Sequence, residues 1–580
     1  MKQPLNPVYV ADPRPSIQVH FADGRTLEGT RGTPIETFLR AAEPKAEAQV
    51  VAGILNGNLR ELTFAVREDC DFVPVTIASA DGARIYRRSL VFLLLVATRE
   101  LFPEADVAVD HSVSNGGYYC RIYGRQPLER QELVAIQRRM EEIVAQDEPI
   151  LRRQVPLQEA IRIFRREGYE DKVRLLKARQ KDSVSIYTLR RREDYFHGYM
   201  VPSTGYLRLF RLDHTPPGFT LRYPRRHAPD QIESAGDFSK LRSVFQETGA
   251  WLQRLGVEDV GTLNQAVEGG RVRELILVAE ALHDQKIADI ARRIVDQRQQ
   301  VRLILIAGPS ASGKTTFARR LAIQLLALGL RTYPLEMDNY FVEREATPRD
   351  ENGQMDFETV EALDRDLLGR QLEALLAGDE VTLPHYDFRS GTRKSGETVQ
   401  LPKDAVILTE GIHGLNPALL SEFPSTKVFR IYVSALTQLN LDRHNRVSTT
   451  DTRLIRRLVR DATTRGHKAL TTLRGWESVR RGEKRYIFPY QENADVMFNS
   501  ALVYELAALR PLAEPLLMQV PDTEPERVEV KRLLAFLSWV RPCSTEFIPD
   551  DSLIREFVGG SILEEFRVWG SGGPGHPAKP

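Results

Sequence analysis

GPSASGKT, at residues 308–315, is the stretch that decides the fold of the C-terminal half. It has the spacing G-x-x-x-x-G-K-[ST], in which glycines allow backbone N–H groups to turn inward around phosphate oxygens. The apolar run 302–307 before it predicts a strand, and residues 315–328 predict a helix whose N-terminus attracts anions. The predicted nucleotide-binding residues are Gly308, Ser310, Ser312, Gly313, Lys314, Thr315 and Thr316.

Two side chains of this loop have a predicted chemical role. Lys314 should contact the β- and γ-phosphates of ATP, and the Thr315 hydroxyl should bind Mg²⁺. Further strands are predicted at 331–336, 405–409 and 428–433, and they alternate with helices. This alternation is typical of a parallel sheet flanked by helices.

Acidic residues follow two of these strands. Asp338 comes just after 331–336, so it should project over the carboxyl edge of the sheet, where ligands bind in open α/β folds. A carboxylate there can accept the proton of an attacking hydroxyl, although an isolated Asp at this position can also be a helix N-cap. Glu410 follows 405–409 and suits a water-mediated Mg²⁺ role.

A basic segment lies further along the chain. Residues 441–485 contain 13 Arg or Lys against 5 Asp or Glu. Arg453, Arg456, Arg457 and Arg460 are spaced to share one broad helical face, which can clamp a triphosphate. A solvated surface helix and an RNA-binding patch are the alternatives.

Several motifs together resemble the uridine kinase and phosphoribulokinase family. The stretches are GPSASGKTTF at 308–317, DNYF at 338–341, PHYDF at 384–388, TEGI at 409–412 and DTRLIRRLVRDATTRG at 451–466. The resemblance implies that Asp338 is the catalytic base, with Lys314 assisting. It also implies acceptor contacts from Tyr386, Arg393 and Arg453, and a mobile lid that carries Arg456, Arg457, Arg460 and Arg465.

Two positions depart from the uridine kinase pattern. Those kinases typically have a histidine shortly after YDF that helps to recognise the base, and Gly391 stands in its place. They also have an N-F-D stretch whose Asp holds the sugar hydroxyls, where this chain offers Glu358, one methylene longer. The phosphoryl-transfer residues are therefore expected to be intact, while the acceptor pocket has diverged.

The N-terminal half resembles threonyl-tRNA synthetase. The stretches are VAGILNGNLREL at 51–62, RRSLVFLL at 87–94, NGGYY at 115–119 and DYFHGYMVPSTG at 194–205. The resemblance implies a β-grasp TGS-like domain, in keeping with the hairpin at 16–28, followed by an α+β editing-like domain. The editing metal site is expected to be lost, because Arg88, Phe92, Phe196 and Met200 occupy the ligand positions. His197 lies one position away and is interpreted as a structural or surface histidine.

The resulting domain prediction has six segments. They are a TGS-like domain at 1–76, an editing-like domain at 77–225, a helical connector at 226–300, the kinase-like domain at 301–510, a C-terminal extension at 511–569 and a disordered tail at 570–580. The chain is thus predicted to be multidomain, with α/β and α+β parts. Three dispersed cysteines and the absence of a long apolar run predict a cytoplasmic protein without a membrane span.

Three functions remain open from the sequence. The first is an ATP-dependent kinase acting on a nucleoside-like hydroxyl. The second keeps the kinase but changes the acceptor to a sugar phosphate or another small alcohol. The third is a nucleotide-switched regulator associated with RNA or the ribosome, in which the TGS-like part of the N-terminal half binds the partner. The 80 basic against 79 acidic residues give no overall attraction to a polyanion.

Overall fold

The computed structural model describes residues 14–43, 47–234, 236, 238–349, 353, 355–387, 390–402, 404–420 and 424–564. The predicted disordered tail at 570–580 and Phe388 of the PHYDF stretch lie outside these residues. The chain divides into two compact units. The first contains the described parts of Met1–Tyr169, Lys181–Ala235 and Arg443–Asn445, and the second contains those of Glu170–Gln180, Gly236–Asp442 and Arg446–Pro580.

The N-terminal half mixes short strands with helices. Its elements are β1 (Ser16–Phe21), β2 (Thr26–Thr30), α1 (Ile35–Ala42), β3 (Val50–Leu55), β4 (Asn58–Glu61), β5 (Cys70–Thr76), α2 (Ala80–Leu101), β6 (Asp106–Val113), β7 (Gly117–Tyr123), α3 (Arg130–Ala145), β8 (Leu151–Pro156), α4 (Leu157–Arg166), α5 (Glu170–Lys177), β9 (Ser183–Leu189), β10 (Arg192–Asp194), β11 (Arg211–Thr215) and β12 (Gly218–Arg222).

The first five strands form one sheet in the order β2-β1-β5-β3-β4. β1 pairs antiparallel with β2 and parallel with β5, and Phe38 of α1 is buried with Val19 and Phe72. This arrangement agrees with the predicted β-grasp. Two antiparallel sheets follow, with the orders β10-β9-β8 and β11-β12-β7-β6.

Helix α2 is longer than its apolar spacing indicates. The periodicity identifies 89–101, but the helix begins at Ala80, where the Ser79 hydroxyl accepts a hydrogen bond from the Gly82 N–H. Charged residues in the first turns interrupt the apolar periodicity, so the periodicity alone misses them. The N-cap marks the true start of the helix.

The second half begins with three helices, then alternates strands and helices, and ends in helices. Its elements are α6 (Ser239–Leu255), α7 (Val260–Glu268), α8 (Val272–Asp296), β13 (Leu303–Ala307), α9 (Lys314–Ala327), β14 (Thr332–Glu336), α10 (Arg365–Ala377), β15 (Glu380–Asp387), β16 (Thr392–Gln400), β17 (Val406–Glu410), β18 (Val428–Ser434), α11 (Thr449–Arg465), α12 (Ala469–Tyr486), β19 (Val496–Asn499), α13 (Glu505–Met518), α14 (Arg527–Leu537) and α15 (Arg555–Val558).

A five-stranded parallel sheet is the centre of this unit. Its order is β14-β17-β13-β18-β19, and every pair in it is parallel. Helix α9 packs on the sheet, and α8 of the predicted helical connector adds Ile287, Ile290 and Ile294 to the same core. The sheet therefore has the layered architecture that the sequence predicts.

Helix α5 belongs to the second unit, although it falls within the predicted editing-like segment 77–225. Lys172 donates to Asp442 at 3.0 Å with both side chains fully buried, and Arg174 pairs with Asp259 at 2.9 Å. Such ion pairs join residues far apart in sequence, so no local pattern indicates them. Among the described residues, no helix is both long enough and apolar enough to cross a bilayer.

Candidate functional site

The phosphate loop joins the end of β13 to the start of α9. Gly308 cannot be replaced without displacing backbone, because a Cβ there would lie 1.9 Å from the Val433 carbonyl oxygen. Ser312 is fully buried, Gly313 is the N-cap residue of α9, and Lys314 donates to the Pro309 carbonyl at 3.2 Å. The loop therefore has the strand–turn–helix context that the motif requires.

The acidic candidates lie at the edge where this loop emerges. β14, β17 and β13 are neighbours, and Glu336 is in register with Glu410, the last residue of β17. Asp338 follows two residues later in a 3-10 turn. Three consecutive strand ends thus bring the loop, Glu410 and Asp338 to one edge of the sheet.

These groups lie within electrostatic reach of one another. Desolvation raises the pKa of Asp338, while the charge of Lys314 opposes that shift. Desolvation also raises the pKa of Glu410, and Lys314 again opposes it. The Asp338 residue is exposed, so a substrate can reach its carboxylate from solvent.

Two predicted magnesium residues are in direct contact. The Thr315 hydroxyl donates to Glu410 at 2.6 Å. This pair of oxygen ligands suits Mg²⁺, which is usually bound by few protein groups together with water and substrate phosphates. Among the residues that the structure describes, no group of three or more His, Cys, Asp or Glu is arranged to hold a metal by itself.

Two predicted lid and acceptor arginines are placed differently from expectation. Arg453 pairs with Glu483 and Arg456 pairs with Glu505, and all four side chains are nearly or fully buried. They therefore do not lie on an exposed face, and their charges are neutralised inside the unit. The predicted i, i+3 spacing is correct, but helix α11 turns this part of the face into the core.

The remaining lid arginines do approach the loop. Arg457 donates to the Ser310 hydroxyl at 2.7 Å and to Asp461 at 3.2 Å. Arg460 also donates to Asp461, and Arg465 lies 3.6 Å from it. Asp461, which sequence reasoning missed, gathers three arginines; its spacing of four residues from Arg457 and Arg465 was the available signal.

The predicted acceptor residues Tyr386 and Arg393 are cross-strand partners in the hairpin β15–β16. The Tyr386 N–H donates to Asn339 at 3.1 Å, which ties this hairpin to the residue after Asp338. Arg393 donates to Asp364 at 2.8 Å. The hairpin backbone is thus tied to the residue after Asp338, while the Arg393 guanidinium pairs with Asp364.

The two departures from the uridine kinase pattern have a structural counterpart. Gly391 adopts φ 73°, and a Cβ there would lie 2.6 Å from Nε of Arg344, so this position has no room for a histidine. Glu358 lies within electrostatic reach of Lys314 and Glu483. Burial, together with Glu483, raises the pKa of Glu358 to about 7.

Two further carboxylates contact the phosphate loop, and nothing in the sequence indicated them. Glu483 accepts a hydrogen bond from the Ser310 N–H at 3.0 Å. Glu556 of α15 accepts from the Thr316 N–H at 3.3 Å and from the Thr316 hydroxyl at 3.1 Å. Backbone N–H groups of the loop and of the first turn of α9 thus bind carboxylates, as expected for an anion-binding site.

The four positions that carry metal ligands in editing domains are in the first unit. Phe92, Phe196 and Met200 are buried in one apolar core, with the two phenyl rings 5.2 Å apart. Arg88 donates to the Tyr199 carbonyl, and burial lowers the pKa of Arg88 to about 10. The predicted residues therefore converge as an apolar cluster beside a cation. His197 is near this cluster, with its ring 3.4 Å from the Tyr195 hydroxyl.

Comparison with known proteins gives a separate result for each half. Residues 303–507 match the family model "Phosphoribulokinase / Uridine kinase family". Threonine–tRNA ligase of Janthinobacterium sp. is 36% identical over 198 residues, which cover 34% of this chain and 31% of that protein. The same enzyme of Polaromonas naphthalenivorans is 37% identical over 163 residues, 28% of this chain and 26% of that protein.

The chain therefore spans about a third or less of the length of these curated relatives. A solved structure from Bacillus stearothermophilus, described as "a Possible Uridine Kinase", has 23% identity and a TM-score of 0.25; the match covers 37% of this chain and 97% of that one. The family match, the loop geometry and the shared strand edge agree with one another. Residues 303–507 are a domain of the phosphoribulokinase and uridine kinase family, joined to an N-terminal region that is similar to threonine–tRNA ligase.

Proposed function

We propose that this protein transfers the γ-phosphoryl group of ATP to a hydroxyl of a nucleoside-like small molecule. The proposal is supported by the position of Asp338 and Lys314 at the same edge of the sheet. Burial raises the pKa of Asp338, and the nearby charge of Lys314 lowers it. A base and a phosphate-binding cation at this edge are what in-line phosphoryl transfer needs.

The residues supply positioning and charge rather than covalent chemistry. Backbone amides of the loop and Lys314 bind the phosphates, and Thr315 and Glu410 are the residues that would hold the Mg²⁺ of a bound ATP. Asp338 accepts the proton of the acceptor hydroxyl as its oxygen attacks the γ-phosphorus, and the bond to the ADP oxygen breaks. Arg457, beside the loop, stabilises the charge that develops on the transferred group.

The charges on the acceptor side favour a neutral acceptor over a phosphorylated one. Glu358 lies within electrostatic reach of Asp356 and Glu483. Tyr486 donates to Asp356 at 2.9 Å. Carboxylates repel a second phosphate but accept hydrogen bonds from sugar hydroxyls, so a nucleoside fits this site better than a sugar phosphate.

The test combines a ligand screen with turnover. Thermal shift with a non-hydrolysable ATP analogue should identify an acceptor among nucleosides, sugar phosphates and small alcohols, because a ligand at 100 times its Kd adds about 2.7 kcal/mol. Asp338→Asn should then lose acceptor-stimulated ADP release by about 10²-fold or more while it still binds the ATP analogue.

Asp379→Asn is the matched control, because Asp379 is an exposed aspartate of the same unit. Full turnover in the Asp338→Asn variant would show that the base is misassigned. Salt-sensitive binding of RNA without turnover on any small acceptor would favour the regulator hypothesis instead.

A further inference from the structure

The C-terminal extension places a carboxylate on the phosphate loop. Glu556 is in α15, 240 residues after Thr316, and one of its oxygens accepts from both the N–H and the hydroxyl of Thr316. Thr316 directly follows the GK[ST] part of the loop. Its N–H is one of the amides in the first turn of α9 that this motif offers to a nucleotide phosphate.

The segment that carries Glu556 is firmly packed. Leu553, Ile554 and Phe557 are fully buried. Leu553 lies against Gly313, where an added Cβ would approach Cδ2 of Leu553 to 2.5 Å. The Phe557 carbonyl accepts from Thr463 of α11 at 3.3 Å. The extension therefore joins the loop to the lid helix, and Glu556 is a positioned side chain.

A phosphate and this carboxylate cannot use the Thr316 donors together. Both are anions, and two anions at hydrogen-bond distance from the same N–H repel each other strongly in a partly desolvated cleft. Nucleotide binding must therefore remove Glu556 from this position.

We propose that the segment 552–558 is an autoinhibitory element, in which Glu556 occupies the position of a nucleotide phosphate and ATP has to displace it. This inference rests on the proposed function, since it assigns ATP to the same loop. Arg465 of the lid lies within electrostatic reach of Glu556.

The experiment measures binding of a fluorescent, non-hydrolysable ATP analogue to the full chain, without an acceptor. Glu556→Gln keeps the size of the side chain but removes its charge, and it should lower the Kd at least fivefold. Glu556→Asp should do the same, because the shorter side chain draws the carboxylate away from Thr316. Glu546→Gln, an exposed glutamate of the same extension, should bind like the wild type.

The outcomes separate this inference from the proposed function. If both Glu556 variants bind the analogue with the wild-type Kd or more weakly, the autoinhibitory role is wrong while the kinase proposal stands. If neither the wild type nor any variant binds the analogue, both proposals fail. Melting temperatures within a few degrees of the wild type show that the variants are folded.

Discussion

Arg453 donates to both carboxylate oxygens of Glu483, and each side chain of this pair is only 2% exposed. The same carboxylate accepts the Ser310 N–H of the phosphate loop. One buried ion pair therefore connects α11, α12 and the loop. The sequence predicts that Arg453 is an exposed phosphate contact, but its guanidinium has a structural role in the core.

We expect Arg453→Met to destabilise the second unit by about 3–5 kcal/mol, because it leaves the Glu483 charge buried without its partner. Arg474→Met is the control: the Arg474 side chain is 53% exposed and pairs with Glu524, so its loss should cost less than about 1 kcal/mol. Urea denaturation measures both. The double variant Arg453→Met/Glu483→Met should be less destabilised than Arg453→Met alone, and equal losses would contradict the argument.

The pH dependence of turnover should report Asp338. A general base must be ionised, so kcat/KM should fall as the pH drops through its raised pKa, above the range usual for an aspartate. Arg465 lowers this pKa, so Arg465→Met should move the acid limb to higher pH. A pH–rate profile with the identified acceptor measures the shift. An unmoved limb would mean that another group titrates.

Glu358 should make stability depend on pH. Its pKa is about 7 in the folded chain against an ordinary 4.5, so the folded state holds this proton more tightly. The contribution of this proton to the free energy of unfolding is fully present below pH 4.5 and is lost as the pH rises to about 7. Between pH 5 and pH 8, Glu358→Gln should gain up to ~3 kcal/mol relative to the wild type.

Denaturation at several pH values tests the Glu358 prediction. Glu373→Gln replaces an exposed glutamate of α10, so its stability relative to the wild type should stay constant across the range. If the free energy of unfolding changed with pH in the same way for the wild type, Glu358→Gln and Glu373→Gln, the raised pKa of Glu358 would be contradicted.

The positions that correspond to editing-domain metal ligands should contribute packing energy in this chain. Phe196 is 2% exposed and contacts Phe92, so Phe196→Ala should cost about 3–5 kcal/mol. Phe64→Ala removes a phenyl group that is 39% exposed and should cost much less. Proteolysis of the first unit during thermal ramping measures both. Equal resistance of the two variants would show that the apolar cluster has no such role.

The four positions that correspond to editing-domain metal ligands could be interpreted only in part from the sequence. By resemblance, Arg88, Phe92, Phe196 and Met200 occupy the ligand positions. A zinc site is not expected there, because these side chains are poor Zn²⁺ ligands. The structure brings the last three together in one buried apolar cluster. It adds that they form part of a continuous apolar core, which depends on side chains from several strands and helices.

The sequence by itself determined the phosphate loop, the order of strands and helices around it, and the acidic residues at the strand ends. These features are local, since a glycine spacing or an apolar run fixes backbone geometry within a few residues. Only the tertiary structure decided which charges are buried, which arginines reach the loop and which carboxylates contact it. Glu483 and Glu556 lie 173 and 240 residues from their loop partners, and a contact over such a separation is set by how helices pack, not by any periodicity along the chain.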